Sequence, residues 1–158
     1  MNYNYLNKAN NNFFFRLFLL KNMPIAWLSG LKIDIVTLDT ASVFIKFGFL
    51  NQNPFKSMYF ACQAMAAEMT TGLLAMGHIE DHSENVSMLV LDFHASFSKK
   101  AVGKVKFISS DGLLVKKAIQ KSIDTRQGVS CSMESKAYDS HGDCVSTYKI
   151  LWSFKVKE

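Results

Sequence analysis

One carboxylate stands out in a long apolar stretch near the middle of the chain. From Ser57 to Gly77 the only charged residue is Glu68. Burying an unpaired carboxylate is costly, so such a residue is either held by specific hydrogen bonds or kept for chemistry. In this setting an acid can act as a general base or as a nucleophile.

The same stretch has the periodicity of a helix with two distinct faces. A stripe of large apolar side chains predicts packing on a sheet, and a stripe of small ones lets a backbone or a flat ligand approach. The large stripe consists of Met58, Cys62, Met65, Met69, Leu73 and Met76. The small stripe consists of Ser57, Ala61, Ala64, Glu68, Thr71 and Ala75. Glu68 is therefore either a site carboxylate or a residue that bonds a neighbouring strand or partner subunit.

Length and composition bound the class of protein. A chain of 158 residues with a formal charge of +5 suits one domain, residues 1–158, with a sizeable core. The asparagine-rich residues 1–12 are expected to be frayed. The three cysteines are odd in number and widely spaced, which favours a reducing, cytoplasmic compartment. No Cys-x-x-Cys pair predicts a metal site, and no basic–aromatic alternation on the predicted strands indicates nucleic-acid binding.

Two segments have the hydropathy of membrane elements. Phe13 to Leu20 is apolar but short and is interrupted by Arg16. It can lie on a membrane surface, but we expect it to cover a sheet edge or an apolar pocket. Residues 57–77 are long enough to cross a bilayer, yet Glu68 at the centre would cost about 2.5–3.5 kcal/mol on insertion scales. We predict a buried helix there and no membrane span.

The remaining periodicities place the elements around this helix. Residues 13–28 predict a helix broken at Pro24, and Asn53 and Pro54 predict the start of the central helix. Asp111 or Ser110 is expected to cap a short basic helix that reaches about Lys121. Strands are predicted at 31–38, 43–49, 86–97, 102–109, 129–138 and 144–156. This segregated order predicts an α+β fold in which one antiparallel sheet covers one long helix.

The architecture and the 53–72 segment together resemble the hotdog-fold acyl-CoA thioesterase superfamily. The closest resemblance is to its phenylacetate-type branch and a related uncharacterised thioesterase-like group, where a loop Asn precedes the central helix and an acid follows about four turns later. Asn53 and Glu68, fifteen residues apart, match that spacing. The segment from Phe97 to Val105 resembles a turn between strands of these enzymes, and residues 139–143 resemble their last hairpin. The resemblance covers roughly residues 24–156.

The resemblance implies a hydrolase of acyl thioesters carried on coenzyme A or on an acyl carrier protein. Glu68 would be the general base or nucleophile, Asn53 would orient water or the thioester, and Thr71 would hold the carboxylate. The backbone N–H of Phe60 would bind the thioester oxygen, because first-turn amides are unpaired and lie at the positive end of the helix dipole. Tyr59 beside it would line the substrate site.

The chain departs from the family pattern at the start of this helix. Where the family often has His-Gly-Gly, the chain has Tyr59-Phe60-Ala61. A backbone donor survives a side-chain change, so Phe60 can still serve. The departure motivates an alternative, a non-catalytic acyl-CoA or fatty-acid binding module of the same fold. A third possibility is a purely structural dimeric partner.

The resemblance also implies the partners. Sites in the family lie between two subunits, so we expect a homodimer or a dimer of dimers, with no cofactor beyond the coenzyme A of the substrate. Its phosphates need cations, and Lys99 and Lys100 at a strand end are the preferred pair. They belong to a basic cluster that is otherwise expected to be a solvated face: Lys104, Lys106, Lys116, Lys117, Lys121 and Arg126.

Two weaker signals lead to no assigned role. His78 and His82 have the i, i+4 spacing of a metal pair, but Gly77 is expected to end the helix and spoil that geometry. Asp92 and His94 share a strand face and form a less favoured acid–base pair. On the same strand, one face is predicted to carry Leu89, Leu91, Phe93, Ala95 and Phe97.

Overall fold

A computed structural model describes residues 3–157. The helices run in chain order as α1 Tyr3–Asn10, α2 Asn12–Asn22, α3 Pro24–Leu28, α4 Phe60–Ile79 and α5 Gly112–Thr125. The strands are β1 Lys32–Val36, β2 Ala41–Lys46, β3 Val86–Phe97, β4 Lys104–Ser109, β5 Val129–Tyr138 and β6 Cys144–Val156. A short 3₁₀ helix covers Phe49–Asn51.

The strands form one antiparallel sheet in the order β1-β2-β4-β5-β6-β3. The long helix α4 packs on four of them, β2, β4, β5 and β6, and α5 packs on β5 and β6. The predicted α+β hotdog architecture, an antiparallel sheet wrapped around one long central helix with an inserted helix before β5, is confirmed. Strand β3 lies at one edge of the sheet and β1 at the other.

The N-terminal region is more structured than its composition predicts. Where residues 1–12 are expected to be frayed, Tyr3–Asn10 form α1; Met1 and Asn2 lie outside the described residues. The buried Tyr5 hydroxyl donates to the Leu73 carbonyl of α4 at 2.7 Å. The Asn10 side chain bonds both the carbonyl and the N–H of Val36 in β1. Long-range hydrogen bonds of this kind anchor a short helix that propensity alone would not stabilise.

The two stripes of α4 face differently from the prediction. Residues near the small stripe meet the sheet: the Thr70 hydroxyl bonds Ser135 of β5 at 2.9 Å, and Trp152 of β6 donates to Thr71 at 3.0 Å. Much of the large stripe instead lies beneath the N-terminal helices, where Leu73 and Met76 border α1 and α2. Small side chains let the sheet backbone come close, and the bulkier ones leave space that α1 and α2 cover.

The predicted faces of β3 are wrong over half of the strand. Val90 pairs with Trp152 and Asp92 with Leu151, so Leu91 between them has no opposite residue and forms a β-bulge. The extra residue shifts the alternation. Met88 and Val90 before it, and Phe93 after it, stand opposite buried residues of β6 and therefore face the core.

Candidate active site: two cavities along one helix

The N-terminus of α4 opens into a cavity of about 760 Å³. Five residues predicted for the site line it: Asn53, Tyr59, Phe60, Lys99 and Lys100. Among the described residues, the backbone N–H groups of Phe60 and Ala61 have no hydrogen-bond acceptor, whereas those of Cys62 and Gln63 bond the Tyr59 carbonyl. The first turn therefore presents two unpaired donors at the positive end of the helix.

Asn53 organises the loop that forms one wall of this cavity. Its Oδ1 accepts from the backbone N–H of Phe55 at 3.0 Å and of Ser57 at 3.2 Å, and its Nδ2 donates to the Ser57 hydroxyl at 3.1 Å. The predicted helix start at Asn53 and Pro54 is wrong, because α4 begins at Phe60. The amide of Asn53 thus shapes a turn and does not cap the helix.

Gln63 and two residues of β6 form a buried polar group behind the cavity. The Gln63 Nε2 donates to the Met58 carbonyl at 3.2 Å, and its Oε1 accepts from Ser146 at 3.1 Å and from Tyr148 at 3.4 Å. Burial raises the pKa of Tyr148 to about 12. Ser146 and Tyr148 had no predicted role. Their pairing with Gln63 depends on a contact across more than eighty residues.

The two lysines of the cavity differ in how their charge is used. The Lys99 ammonium lies 2.9 Å from Asp139 Oδ2 and 2.6 Å from Asp143 Oδ2, both in the last hairpin. Lys100 donates to the Phe55 carbonyl at 3.2 Å and has no ion pair among the residues that the structure describes. Lys100 is therefore the lysine of this pair whose charge is left for a ligand.

Glu68 lines a second and more apolar cavity, of about 270 Å³, in the middle of α4. Its other walls are Phe18, Met23, Met69, Gly72, Met76, Met88 and Trp152. Within residues 3–157, no hydrogen bond or ion pair engages the Glu68 carboxylate. Burial in these surroundings raises the pKa of the carboxyl, since desolvation disfavours the charged form. A half-buried acid without a partner is costly to the fold, as expected of a group kept for chemistry.

Thr71 does not hold the carboxylate as predicted. Its hydroxyl donates to the backbone carbonyl of Glu68 at 2.9 Å and accepts from Trp152 Nε1 at 3.0 Å. Thr71 therefore fixes the indole that forms one wall of the Glu68 cavity. Trp152 had no predicted role; its place on the buried face of β6, between Ile150 and Phe154, was the signal that could have drawn attention to it.

The two cavities lie apart in a single chain. Glu68 follows Phe60 by eight positions, which corresponds to about 12 Å along a helix axis. Among the described residues, Phe60 at the unpaired amides lines the first cavity and the unpaired acid lines the second. One chain thus holds both chemical components of the predicted site but keeps them in different places.

The weaker signals have structural explanations. The helix α4 continues past Gly77 to Ile79, so His78 lies in its last turn, and its Nε2 is 2.9 Å from the Leu38 carbonyl. His82 lies in the turn that follows. In the described part of the chain, no three His, Cys, Asp or Glu residues group as metal ligands do. None of the described helices is both long and apolar enough to cross a bilayer.

Comparison with known proteins gives the family. A family model described as a domain of unknown function, DUF4442, matches residues 11–154. The chain belongs to this family. None of the curated proteins compared with this DUF4442 member matches it.

Solved structures share its fold at low sequence identity. A Pseudomonas aeruginosa protein of unknown function, described as a probable thioesterase, is 20% identical, with 88% of this chain and 93% of that chain covered and a TM-score of 0.72. A Haemophilus influenzae thioesterase is 12% identical, with 92% and 91% covered and a TM-score of 0.67. A Staphylococcus aureus thioesterase carrying a Gln-to-Ala substitution is 11% identical, with 80% and 94% covered and a TM-score of 0.63. This DUF4442 chain therefore has the fold of the hotdog thioesterase-like superfamily.

Proposed function

We propose that this protein hydrolyses acyl thioesters of coenzyme A or of an acyl carrier protein. The observation that carries the proposal is the Glu68 carboxyl, which faces an apolar cavity with no partner among the described residues and with its pKa raised by burial. A carboxylate whose pKa is raised by burial is a stronger proton acceptor than an ordinary carboxylate. No cofactor is needed, since coenzyme A enters as part of the substrate.

The reaction needs one electrophile, one proton acceptor and a site for the developing negative charge. Water attacks the thioester carbon and gives its proton to Glu68, while the carbonyl oxygen becomes an oxyanion bound by the N–H groups of Phe60 and Ala61. The carbon–sulfur bond then breaks, and the thiolate leaves and takes up the proton. In the alternative route, the Glu68 carboxylate attacks the thioester carbon and the thiolate leaves, which gives a mixed anhydride. Water then hydrolyses the anhydride, releases the acid and restores Glu68. Asn53, which holds the loop beside these amides, positions the wall against which the thioester lies.

Amides and acid meet when two copies of the chain associate. The free edge of β3 carries exposed apolar side chains, among them Leu89 at 64% and Leu91 at 54% exposure. A long apolar edge strand is a template for pairing with another chain. Two β3 strands that pair antiparallel about their middle place Met88 of one copy beside Ala95 of the other.

That pairing joins the two kinds of cavity. Met88 lines the Glu68 cavity, and Phe97, two residues beyond Ala95, lines the cavity at the N-terminus of α4. The acid of one copy then approaches the unpaired amides of the other. We therefore propose a homodimer, alone or within a dimer of dimers, with two sites that each draw on both chains.

A spacing in another hotdog protein supports the roles of Asn53 and Glu68. Structures of the Staphylococcus aureus thioesterase carry alanine in place of a glutamate and, separately, of a glutamine that precedes it by fifteen residues. The same separation links Asn53 and Glu68 in this chain. An amide and an acid at this distance are what the proposed site uses.

The phosphates of coenzyme A would bind on the side of the first cavity that Lys100 borders. Its ammonium is free of carboxylates in the described structure, whereas Lys99 is shared by Asp139 and Asp143. The cavity of about 760 Å³ has the size of small-molecule sites. The unpaired thiols Cys62, Cys131 and Cys144 accord with a cytoplasmic enzyme.

Subunit complementation tests the whole proposal. Glu68→Gln removes the proton acceptor, and Phe60→Pro removes one amide N–H at a helix position where proline is favoured. Each variant alone is expected to lose hydrolysis of a panel of short, medium and aromatic acyl-CoAs. After the two are co-refolded, about a quarter of wild-type activity should return, because half of the dimers are mixed and each holds one intact site.

The control is Phe60→Ala, which keeps the N–H. Hydrolysis by Glu68→Gln at the wild-type rate would contradict the role of Glu68. Two inactive variants that show no recovery on mixing would contradict a site shared between chains.

A second function is favoured by the aromatic pair at the start of α4. Tyr59 and Phe60 pack edge to face with ring centroids 5.0 Å apart at the mouth of the first cavity. If they block approach to the amides, the protein binds acyl-CoA without cleaving it. Tight binding by calorimetry together with no thiol release would identify this binding module.

A further inference from the structure

A third cavity, also apolar, adjoins the cavity that contains Glu68. It has a volume of about 280 Å³ and lies between the N-terminal helices and the C-terminal half of α4. Its walls include Tyr5 and Ala9 of α1, Phe14 and Phe15 of α2, and Leu73 of α4. The Tyr5 hydroxyl is committed to the Leu73 carbonyl, so the ring presents its apolar side to the space. We call this space the distal cavity.

Two side chains separate the distal cavity from Glu68. Phe18 of α2 and Met76 of α4 line both cavities, and both side chains are only partly buried. Methionine is unbranched and adapts its shape readily to a ligand. A shift of the Met76 side chain would therefore join the two spaces into one elongated channel that begins at Glu68 and ends near Lys8 and Glu80.

The walls of this channel suit one class of ligand. Apart from the carboxyl of Glu68 at one end and the charged residues at the other, its lining is dominated by methionine and aromatic side chains. An apolar space that extends along two adjoining cavities accepts a flexible unbranched hydrocarbon chain, whose burial is favourable along its whole length.

We propose that the acyl chain of the substrate runs from Glu68 between Phe18 and Met76 into the distal cavity, and that these two residues set the longest straight chain accepted. The inference rests on the proposed thioester hydrolysis and adds its substrate class, straight-chain acyl groups. It also assigns a task to α1 and α2, which form the outer wall of the distal cavity while the sheet covers the opposite side of α4.

Trp152 provides a direct probe, because it lines the Glu68 cavity and the chain has only two tryptophans. Trp27 lines neither cavity and packs under Arg16, so Trp27→Phe leaves Trp152 as the only indole. In this background, Trp152 emission is followed during titration with straight-chain 1-alkanols from hexanol to dodecanol. The dissociation constant is expected to fall about fourfold per added methylene, the equivalent of 0.8 kcal/mol, until the channel is full.

Variants at the junction decide the inference. Met76→Phe should end the gain in affinity at a shorter alcohol, whereas Met65→Phe on the same helix, which lines neither cavity, should leave the length dependence unchanged. Phe18→Ala should extend it to longer alcohols, with Phe13→Ala on the exposed side of α2 as its control. The channel would be contradicted if Trp152 emission did not change with any alcohol. It would also be contradicted if the dissociation constants of Met76→Phe and Met65→Phe depended on alcohol length in the same way.

The alcohol series needs no turnover, so the two proposals fail separately. If thioesters are not hydrolysed but the alcohols show the expected length dependence, the channel stands and the hydrolase assignment falls. If hydrolysis occurs with kcat/KM values that do not change with acyl length in wild type or Met76→Phe, the hydrolase stands and the channel is wrong.

Discussion

The cavity at the start of α4 and the cavity at its middle differ in volume, in polarity and in the groups that line them. At the helix start, the cavity is wide, its donors are backbone amides, and its border includes lysines and a hydrogen-bonded loop. At the middle, the cavity is about a third of that volume, its charged lining residue among those described is Glu68, and most of its walls are methionine and aromatic side chains. The first region suits a charged carrier and an oxyanion, and the second suits an apolar chain and a proton acceptor.

In the proposed enzyme, neither region by itself is a complete site. An amide donor without an acid cannot activate water, and an acid about 12 Å away cannot reach the carbonyl that the amide holds. In the proposed homodimer, pairing along the open edge of β3 would bring them together. The predictions that follow test each half of this comparison, from the largest expected effect to the smallest.

Removing one backbone N–H at the start of α4 should cause the largest loss of activity. Phe60→Pro takes away the N–H at the first position of α4, where the preceding Tyr59 already has the extended backbone that a residue before proline prefers (φ −61°, ψ 133°). Loss of one oxyanion donor is expected to lower kcat by about 10²–10³-fold. The measurement is steady-state thiol release from acyl-CoA, with circular dichroism to check the fold. Phe60→Ala should retain most of the activity, and an equal loss in both variants would argue against the amide.

The pH dependence of kcat/KM tests the role of Glu68 in the second cavity. Glu68 must be ionised to accept a proton, and burial raises its pKa above the ordinary value of 4.5. The logarithm of kcat/KM should therefore rise by about one per pH unit on the acid side and level off at a midpoint above 4.5. A midpoint at or below the ordinary value would contradict the assignment.

The ionisation of Glu68 that raises activity should lower the stability of the fold. Because the folded state binds the Glu68 proton more tightly than the unfolded state does, stability falls as pH rises from 4.5 through the raised pKa. Glu68→Gln should abolish this fall, so its gain in Tm over wild type should be larger at neutral pH than in acid. Glu84→Gln, remote from both cavities, is the control. A Glu68→Gln variant less stable than wild type at neutral pH would mean that the carboxylate has a partner.

Thr71 is expected to affect the stability of the fold and not the ionisation of Glu68. Thr71→Val leaves the buried Trp152 N–H without its acceptor, which should cost about 1–3 kcal/mol of unfolding free energy. Urea denaturation measures the loss, and Thr125→Val on the exposed end of α5 should cost much less. The acid limb of the pH–rate profile should stay in place. If Thr71→Val shifts the acid limb of the pH–rate profile, Thr71 contacts the Glu68 carboxylate after all.

The smallest effect is expected at the lysine of the first cavity. Lys100→Met should raise KM for acyl-CoA by about 1.4-fold to fivefold, the range for one exposed charge pair. Added salt should reduce the difference, because screening weakens contacts between exposed charges. Lys117→Met removes the same charge from α5, away from the cavity. Equal effects of the two substitutions would indicate net charge and not a phosphate contact.

Local sequence signals were enough for most elements and for the unusual acid. The six strands, the inserted helix α5 and the body of the long helix α4 follow from periodicity, although α4 begins at Phe60 and not at Asn53. Glu68 was conspicuous because a single charge in a long apolar stretch needs an explanation. The partners of Gln63 and Thr71 were not predictable in the same way, because Tyr148 and Trp152 come from a strand far along the chain.

The sequence by itself determined the order of elements, the apolar character of α4 and the presence of one carboxylate in it. Only the tertiary structure decided which stripe of α4 meets the sheet, where the Leu91 bulge shifts the faces of β3, and that the acid and the free amides occupy separate cavities. The reason is physical. Hydrophobic burial is non-directional, so an apolar stripe specifies that it is covered but not by what, whereas register and cavities arise from close packing between distant segments.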